Sequence, residues 1–253
     1  MDITIALLLL LTGIAGGIIN AIAGGATLIT FPVMLAAGLS PVIANASNAV
    51  AIAPGHLLAA IADREKMPAL DSTMRLALSL SVLGGAIGAL LLLALPDRLF
   101  VLPVPALIGF ATVLFFFAPR IAAWAERRRN GAEPSTMGGL VTLAIASIYG
   151  GFFGAGLGVM LTAVLSITEP ADIRKVKVLK NVLASCVSLS AIAIFIVQGF
   201  VAWPQTLVML AGALVGGYAG GYLVRVLPAW TVRAFVIAAG TAMTFIYAGR
   251  YWF

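Results

Sequence analysis

Ala15-Gly16-Gly17-Ile18-Ile19-Asn20-Ala21-Ile22-Ala23-Gly24-Gly25 and Tyr149-Gly150-Gly151-Phe152-Phe153-Gly154-Ala155-Gly156-Leu157-Gly158 are two versions of one pattern, in which glycines interrupt an apolar segment. Gly16 aligns with Gly150 and Gly24 with Gly158 at an offset of 134. Ser47-Asn48 aligns with Lys180-Asn181 at 133, and both Gly84-Gly85-Ala86-Ile87-Gly88 with Gly216-Gly217-Tyr218-Ala219-Gly220 and Pro96 with Pro228 at 132. Landmarks at a nearly constant spacing are stronger evidence than any single glycine pair. The chain therefore reads as two homologous halves, residues 1–120 and 137–253, joined by a basic linker at 121–136.

Outside the motifs, composition decides the solvent. Of 253 residues, 62% are hydrophobic and 9% charged, against roughly 25% charged in a soluble domain. There is too little polar surface to face water, so lipid covers most of the exterior. Charge-free stretches run from Ile3 to Ala62, Leu76 to Pro96, Leu99 to Pro119, Pro134 to Thr168, Asn181 to Val224 and Ala234 to Gly249. A membrane span needs about 20 apolar residues, and backbone groups in hydrocarbon must bond internally. Long apolar runs without period-two alternation make these spans helices. Asp2 stands where a cleavable secretion signal would carry positive charge. Cys186 is the only cysteine, so no internal disulfide forms. The net charge of +6 reads as basic anchors at the cytoplasmic membrane surface, not as a nucleic-acid footprint.

Six full spans are expected, near 42–62, 74–96, 101–120, 175–199, 204–226 and 231–250. Residues 3–38 and 137–167 hold the glycine motifs, each either one span or a broken hairpin. If each crosses once, Lys and Arg divide eight against seven between the two faces. If each enters and leaves on one face, thirteen lie with the linker and only Arg98 and Arg250 lie opposite. The second division obeys the positive-inside rule. The expected fold is thus an all-α polytopic bundle of two inverted repeats, each with one re-entrant hairpin and three full spans. The N-terminus is then expected outside. Broken helices meeting near the midplane between inverted repeats are a recurring plan of secondary transporters. Tyr247, Tyr251, Trp252, Phe253, Trp124 and Trp203 fit interfacial aromatic belts.

Asn20-Ala-Ile-Ala-Gly-Gly-Ala-Thr-Leu-Ile-Thr-Phe-Pro32 and Ala44-Asn-Ala-Ser-Asn48, with Gly150 to Gly158 and Lys177-Val-Leu-Lys-Asn-Val182, resemble the TauE/SafE (sulfite exporter, TSUP) family. The resemblance spans nearly the whole chain in order, spacing and duplication. It departs in the first motif, where family members often carry a longer glycine run than Gly24-Gly25. It implies a bacterial cytoplasmic-membrane permease for small sulfur-containing anions such as sulfite or an organosulfonate.

The candidate substrate-binding residues are Asn20, Gly24, Gly25, Thr27, Asn48, Gly154, Gly156, Gly158, Lys180 and Asn181. Glycine lets the backbone turn and a ligand approach closely. N–H groups at a half-helix start, aided by the helix dipole, suit an anion. Thr27 and Thr30 follow the first turn as hydroxyl donors. The alternative for these glycines is tight helix packing, which is the assignment for Gly84, Gly88, Gly216 and Gly220. Asn45, Asn48 and Asn181 either offer carboxamide donors or hold helices together. Lys180 is the one basic residue at motif depth; it supplies charge to an anion or snorkels to the cytoplasmic face. His56, the only histidine, either carries a coupling proton or is a neutral bonded group.

No cofactor or metal is expected. One histidine and one cysteine without intramembrane carboxylates leave no catalytic set, so the chain does not read as an enzyme. The expected partners are a small anion, the bilayer, a coupling proton or ion, and a second copy in a homodimer; nucleic acid is not among them. An alternating-access carrier is the reading. The alternatives are an anion channel and a carrier of a different small carboxylate or oxyanion.

Overall fold

The structure, a computed structural model, describes residues 1–62, 70–129, 136–168, 173–223 and 225–253. The first half contributes α1 (Ile3–Ile22), α2 (Thr27–Ala36), α3 (Pro41–Ile52), α4 (Pro54–Ala62), α5 (Ser72–Ala94), α6 (Asp97–Phe100) and α7 (Val104–Arg129). The second contributes α8 (Thr136–Phe152), α9 (Leu157–Thr168), α10 (Ile173–Val197), α11 (Trp203–Leu223) and α12 (Ala229–Tyr251). Among the described residues every regular element is a helix. Arg64, Lys66 and the side chains of Arg128, Arg129, Arg174 and Lys175, all used in the charge argument, lie outside the described residues, as do linker residues 130–135.

Seven segments are long and apolar enough to cross a bilayer. Six match the expected spans. The seventh is α1, because the first arm of the first glycine motif is itself 20 residues long, about 30 Å of rise. The span Pro41–Ile61 is made of α3 and α4, divided at Ala53-Pro54 where proline supplies no N–H. Large apolar side chains such as Leu83, Phe110, Phe235 and Phe245 are exposed, as lipid-facing residues must be. Phe31, Phe100, Phe195 and Met209 are fully buried.

Both glycine motifs break their helix and reverse the chain. At the first reversal Gly16 of α1 faces Thr30 and Ala26 across the turn, and at the second Gly150 of α8 faces Leu157. The Tyr149 hydroxyl closes the second turn by donating to the Ala155 carbonyl at 2.7 Å. The arms are unequal. Helices α2 and α9 have 10 and 12 residues, roughly 15 and 18 Å, about half a bilayer.

Each long arm packs on a helix of the other half. Gly13 faces Met209 and Gly212, Gly17 faces Ala213 and Gly217, and Ile18 meets Gly220, so α1 and α11 run parallel. Gly84 faces Ser147 and Gly88 faces Ile148, Gly151 and Phe152, so α5 and α8 run parallel too. In both pairs the backbones touch where any Cβ would collide with main chain. The assignment of Gly84, Gly88, Gly216 and Gly220 to packing describes these contacts. Helices α7 and α12, by contrast, run antiparallel: the Trp252 indole N–H donates to the Leu102 carbonyl at 2.8 Å, Gly109 faces Thr244, and Gly240 faces Thr112.

Candidate functional site

The two reversals are brought together on α7. A Cβ on Gly25 would stand 2.9 Å from the Phe115 ring, and one on Gly156 would stand 3.6 Å from Leu114 and 3.9 Å from Ala111. Both tips therefore rest within one helical turn of α7, midway along its candidate span Val104–Trp124. The Phe31 and Phe153 rings join the hairpins edge to face, with centroids 5.2 Å apart.

The turns are built from backbone that L side chains seldom adopt. Gly24, Gly25, Gly154 and Gly156 have φ between +75° and +84°, a region costing other residues about 1–2 kcal/mol. The first arm's end is closed by Ala23 and Gly24 N–H donating to the Ile19 carbonyl, and the second by Phe153 and Gly154 donating to Tyr149. The new helices then begin without caps. Among the described residues the N–H groups of Gly25, Ala26 and Thr27 have no acceptor in the protein, nor do those of Ala155, Gly156 and Gly158. Each is a set of orphan donors at the positive end of a helix. Beside Gly24 and Gly158, the pair aligned at offset 134, a Cβ would meet nothing within 4 Å.

Helix α3 ties the two turns together. Asn45 donates through Nδ2 to the Phe152 carbonyl at 2.9 Å, at the end of α8. One turn later Asn48 donates to the Thr27 hydroxyl at 3.5 Å, at the start of α2. Both asparagines are 2% exposed, and the Oδ1 of each has no partner.

The remaining sequence candidates fall at different distances from this centre. Gly24, Gly25, Thr27, Gly154, Gly156 and Gly158 form the turns, with Asn48 beside them. Asn20, in the last turn of α1, faces Gly55 at the start of α4. Asn181 is buried in α10. Lys180 is half-buried and close enough to Lys177 and His56 for their charges to interact, so it sits with α4. Thr30 is not a free donor: its hydroxyl bonds the Ala26 carbonyl and its methyl packs on Gly16.

Two residues outside the candidate set also reach the centre. Asn45 does so through Phe152. Arg233, which sequence reading used only as a topological charge, donates to the Phe115 and Phe116 carbonyls, with its guanidinium over the Phe115 ring at 5.5 Å. A signal for it existed in Pro119: lacking an N–H, it leaves the carbonyl four residues earlier, Phe115, without its helical donor. Among the described residues no three His, Cys, Asp or Glu side chains gather to hold a metal.

Fold and site together define a multi-pass helical membrane protein whose two helix reversals bring half-helix starts to one place. The chain belongs to the sulfite exporter TauE/SafE family, whose sequence model matches residues 9–247. It is 28% identical over 246 residues to a protein of Haemophilus influenzae named "Probable membrane transporter protein", covering 96% of this chain and 95% of that one. It is 27% identical over 228 residues to "Probable membrane transporter protein YfcA" of Escherichia coli K12, covering 90% and 84%. No solved structure gives a significant match.

Proposed function

We propose that the protein is a permease that moves a small sulfur-containing oxyanion across the membrane by alternating access. The observation that carries this reading is the convergence of two uncapped helix starts, each with three orphan N–H donors, on one turn of α7. Each start carries roughly half a positive charge, and an oxyanion offers lone pairs to satisfy the donors. Arg233, one aromatic ring away from Gly25, adds positive potential without obstructing the turn. Lys180 adds charge along the path past α4. The relatives' names, each a "Probable membrane transporter protein", support a permease, and the family description, which names sulfite, supports this anion class.

The inverted arrangement is part of the proposal. The contact of Gly17 with Gly217 and that of Gly85 with Gly151 exchange under the sequence offsets of 134 and 132. The equivalent helices α7 and α12 meet antiparallel. A pseudo-twofold axis lying in the membrane plane accounts for both, and rocking one half on the other would expose the turns to each side in turn.

Purified protein should be stabilised against heat by sulfite or by an organosulfonate, by mass action on the folded state, and less by carboxylates of similar size. Reconstituted protein should show saturable uptake and counterflow. Lys180→Met should insert normally yet lose most of the flux. Absence of stabilisation by every sulfur oxyanion, or flux that never saturates, would remove the carrier reading.

A further inference from the structure

The half-helix starts account for the donors at the centre, but the same region holds acceptors that nothing uses. Asn45 Oδ1 and Asn48 Oδ1 are buried, lie one turn apart on α3 and have no partner. The orientation of Asn45 is fixed by chemistry. The Phe152 carbonyl can only accept, so the nitrogen must face it and the oxygen must face away. An unpaired buried acceptor costs about 1–3 kcal/mol, and two of them flank the turns.

Backbone oxygens share this situation. Among the described residues the Gly150 and Gly151 carbonyls at the end of α8 receive no N–H from the turn, because Phe153 and Gly154 both donate to Tyr149. The end of a helix is its negative pole. Each reversal thus presents a positive helix start and a negative helix end within a few residues, and Asn45 reaches the negative end of the second.

We propose that Asn45 Oδ1 and Asn48 Oδ1, one turn apart on α3 and beside the negative end of α8, ligate sodium, a hard monovalent cation taken by neutral oxygen ligands. No carboxylate or histidine is needed for such a site. Its role in transport rests on the anion reading above. A monovalent anion such as an organosulfonate, moved alone across a membrane, works with or against about 2.3 kcal/mol per 100 mV; moved together with one sodium ion it carries no net charge.

The test uses purified protein in choline chloride without a sulfur anion, titrated with sodium chloride at constant ionic strength and chloride. The thermal midpoint should rise saturably with sodium and not with choline. Asn48→Leu should raise the half-saturating sodium concentration at least about tenfold, a loss of about 1.4 kcal/mol. Asn48→Asp, which keeps an oxygen at that position, should retain the response and so separates ligand loss from misfolding. Equal midpoints in sodium and choline, or an unchanged response in Asn48→Leu, would overturn the site. Stabilisation by sulfite in choline, measured separately, reads the anion cradle: it survives if only the sodium site is wrong, and is lost with sodium binding intact if only the anion reading is wrong.

Discussion

At the scale of single residues, the two glycines of the first turn do different jobs. Both have positive φ, so alanine at either adds the same backbone strain, about 1–2 kcal/mol. Only at Gly25 does the new methyl also meet the Phe115 ring; at Gly24 it enters open space. Gly25→Ala should therefore lower the thermal midpoint more than Gly24→Ala, and Phe115→Leu should narrow the gap. Equal losses, measured by fluorescence-detected size exclusion after heating, would mean the turn does not rest on α7. The glycines, Thr27 and Asn48 were legible in the sequence because backbone reversal and intramembrane polarity restrict residue choice. Thr30 was misread as a free donor because its hydroxyl engages its own helix four residues back, as an intrahelical threonine commonly does in an apolar setting. The unpaired oxygens of Asn45 and Asn48 could not be read at all, since which end of an amide is engaged depends on the partner helix.

At the scale of elements, the hydrogen bond missing from α7 and the side chain that replaces it come from opposite halves of the chain. Pro119 removes the donor for the Phe115 carbonyl, and Arg233 of α12 supplies one from 118 residues away. Arg233→Met should leave that carbonyl unpaired and cost about 1–3 kcal/mol. Pro119→Ala restores an N–H within α7, so the double variant should recover much of the loss, whereas two unrelated contacts would add. Recovery is read from the thermal midpoints of the two single variants and the pair. Strict additivity would show that Arg233 is held there by something other than the missing N–H. Element lengths were legible from the charge-free runs. The span length of α1 was not singled out, because the hairpin argument treated residues 3–38 as one unit, although the break at Gly24-Gly25 leaves 20 apolar residues on one side and 10 on the other.

At the scale of the molecule, the proposed inversion of the two halves rests on two arguments. One is the distribution of thirteen basic residues against two. The other is geometric: equivalent helices α7 and α12 meet antiparallel, and α1 crosses to α11 as α8 crosses to α5. Cysteine labelling reads the orientation of both halves directly. In a Cys186→Ala background, single cysteines at Arg98 and Gln198, both exposed at helix ends, should react with an impermeant maleimide added to intact cells. Cysteines at Asp71 and Arg225, also exposed, should react only after the membrane is opened. Under the offset of 132, the loop at Arg98 corresponds to that following Leu227, so the two must label from opposite sides if the halves are inverted. Labelling of Arg98 and Arg225 positions from the same side would make the halves parallel. The half-helix starts would then share one orientation across the membrane, and rocking of one half on the other would no longer exchange the side from which an anion reaches them.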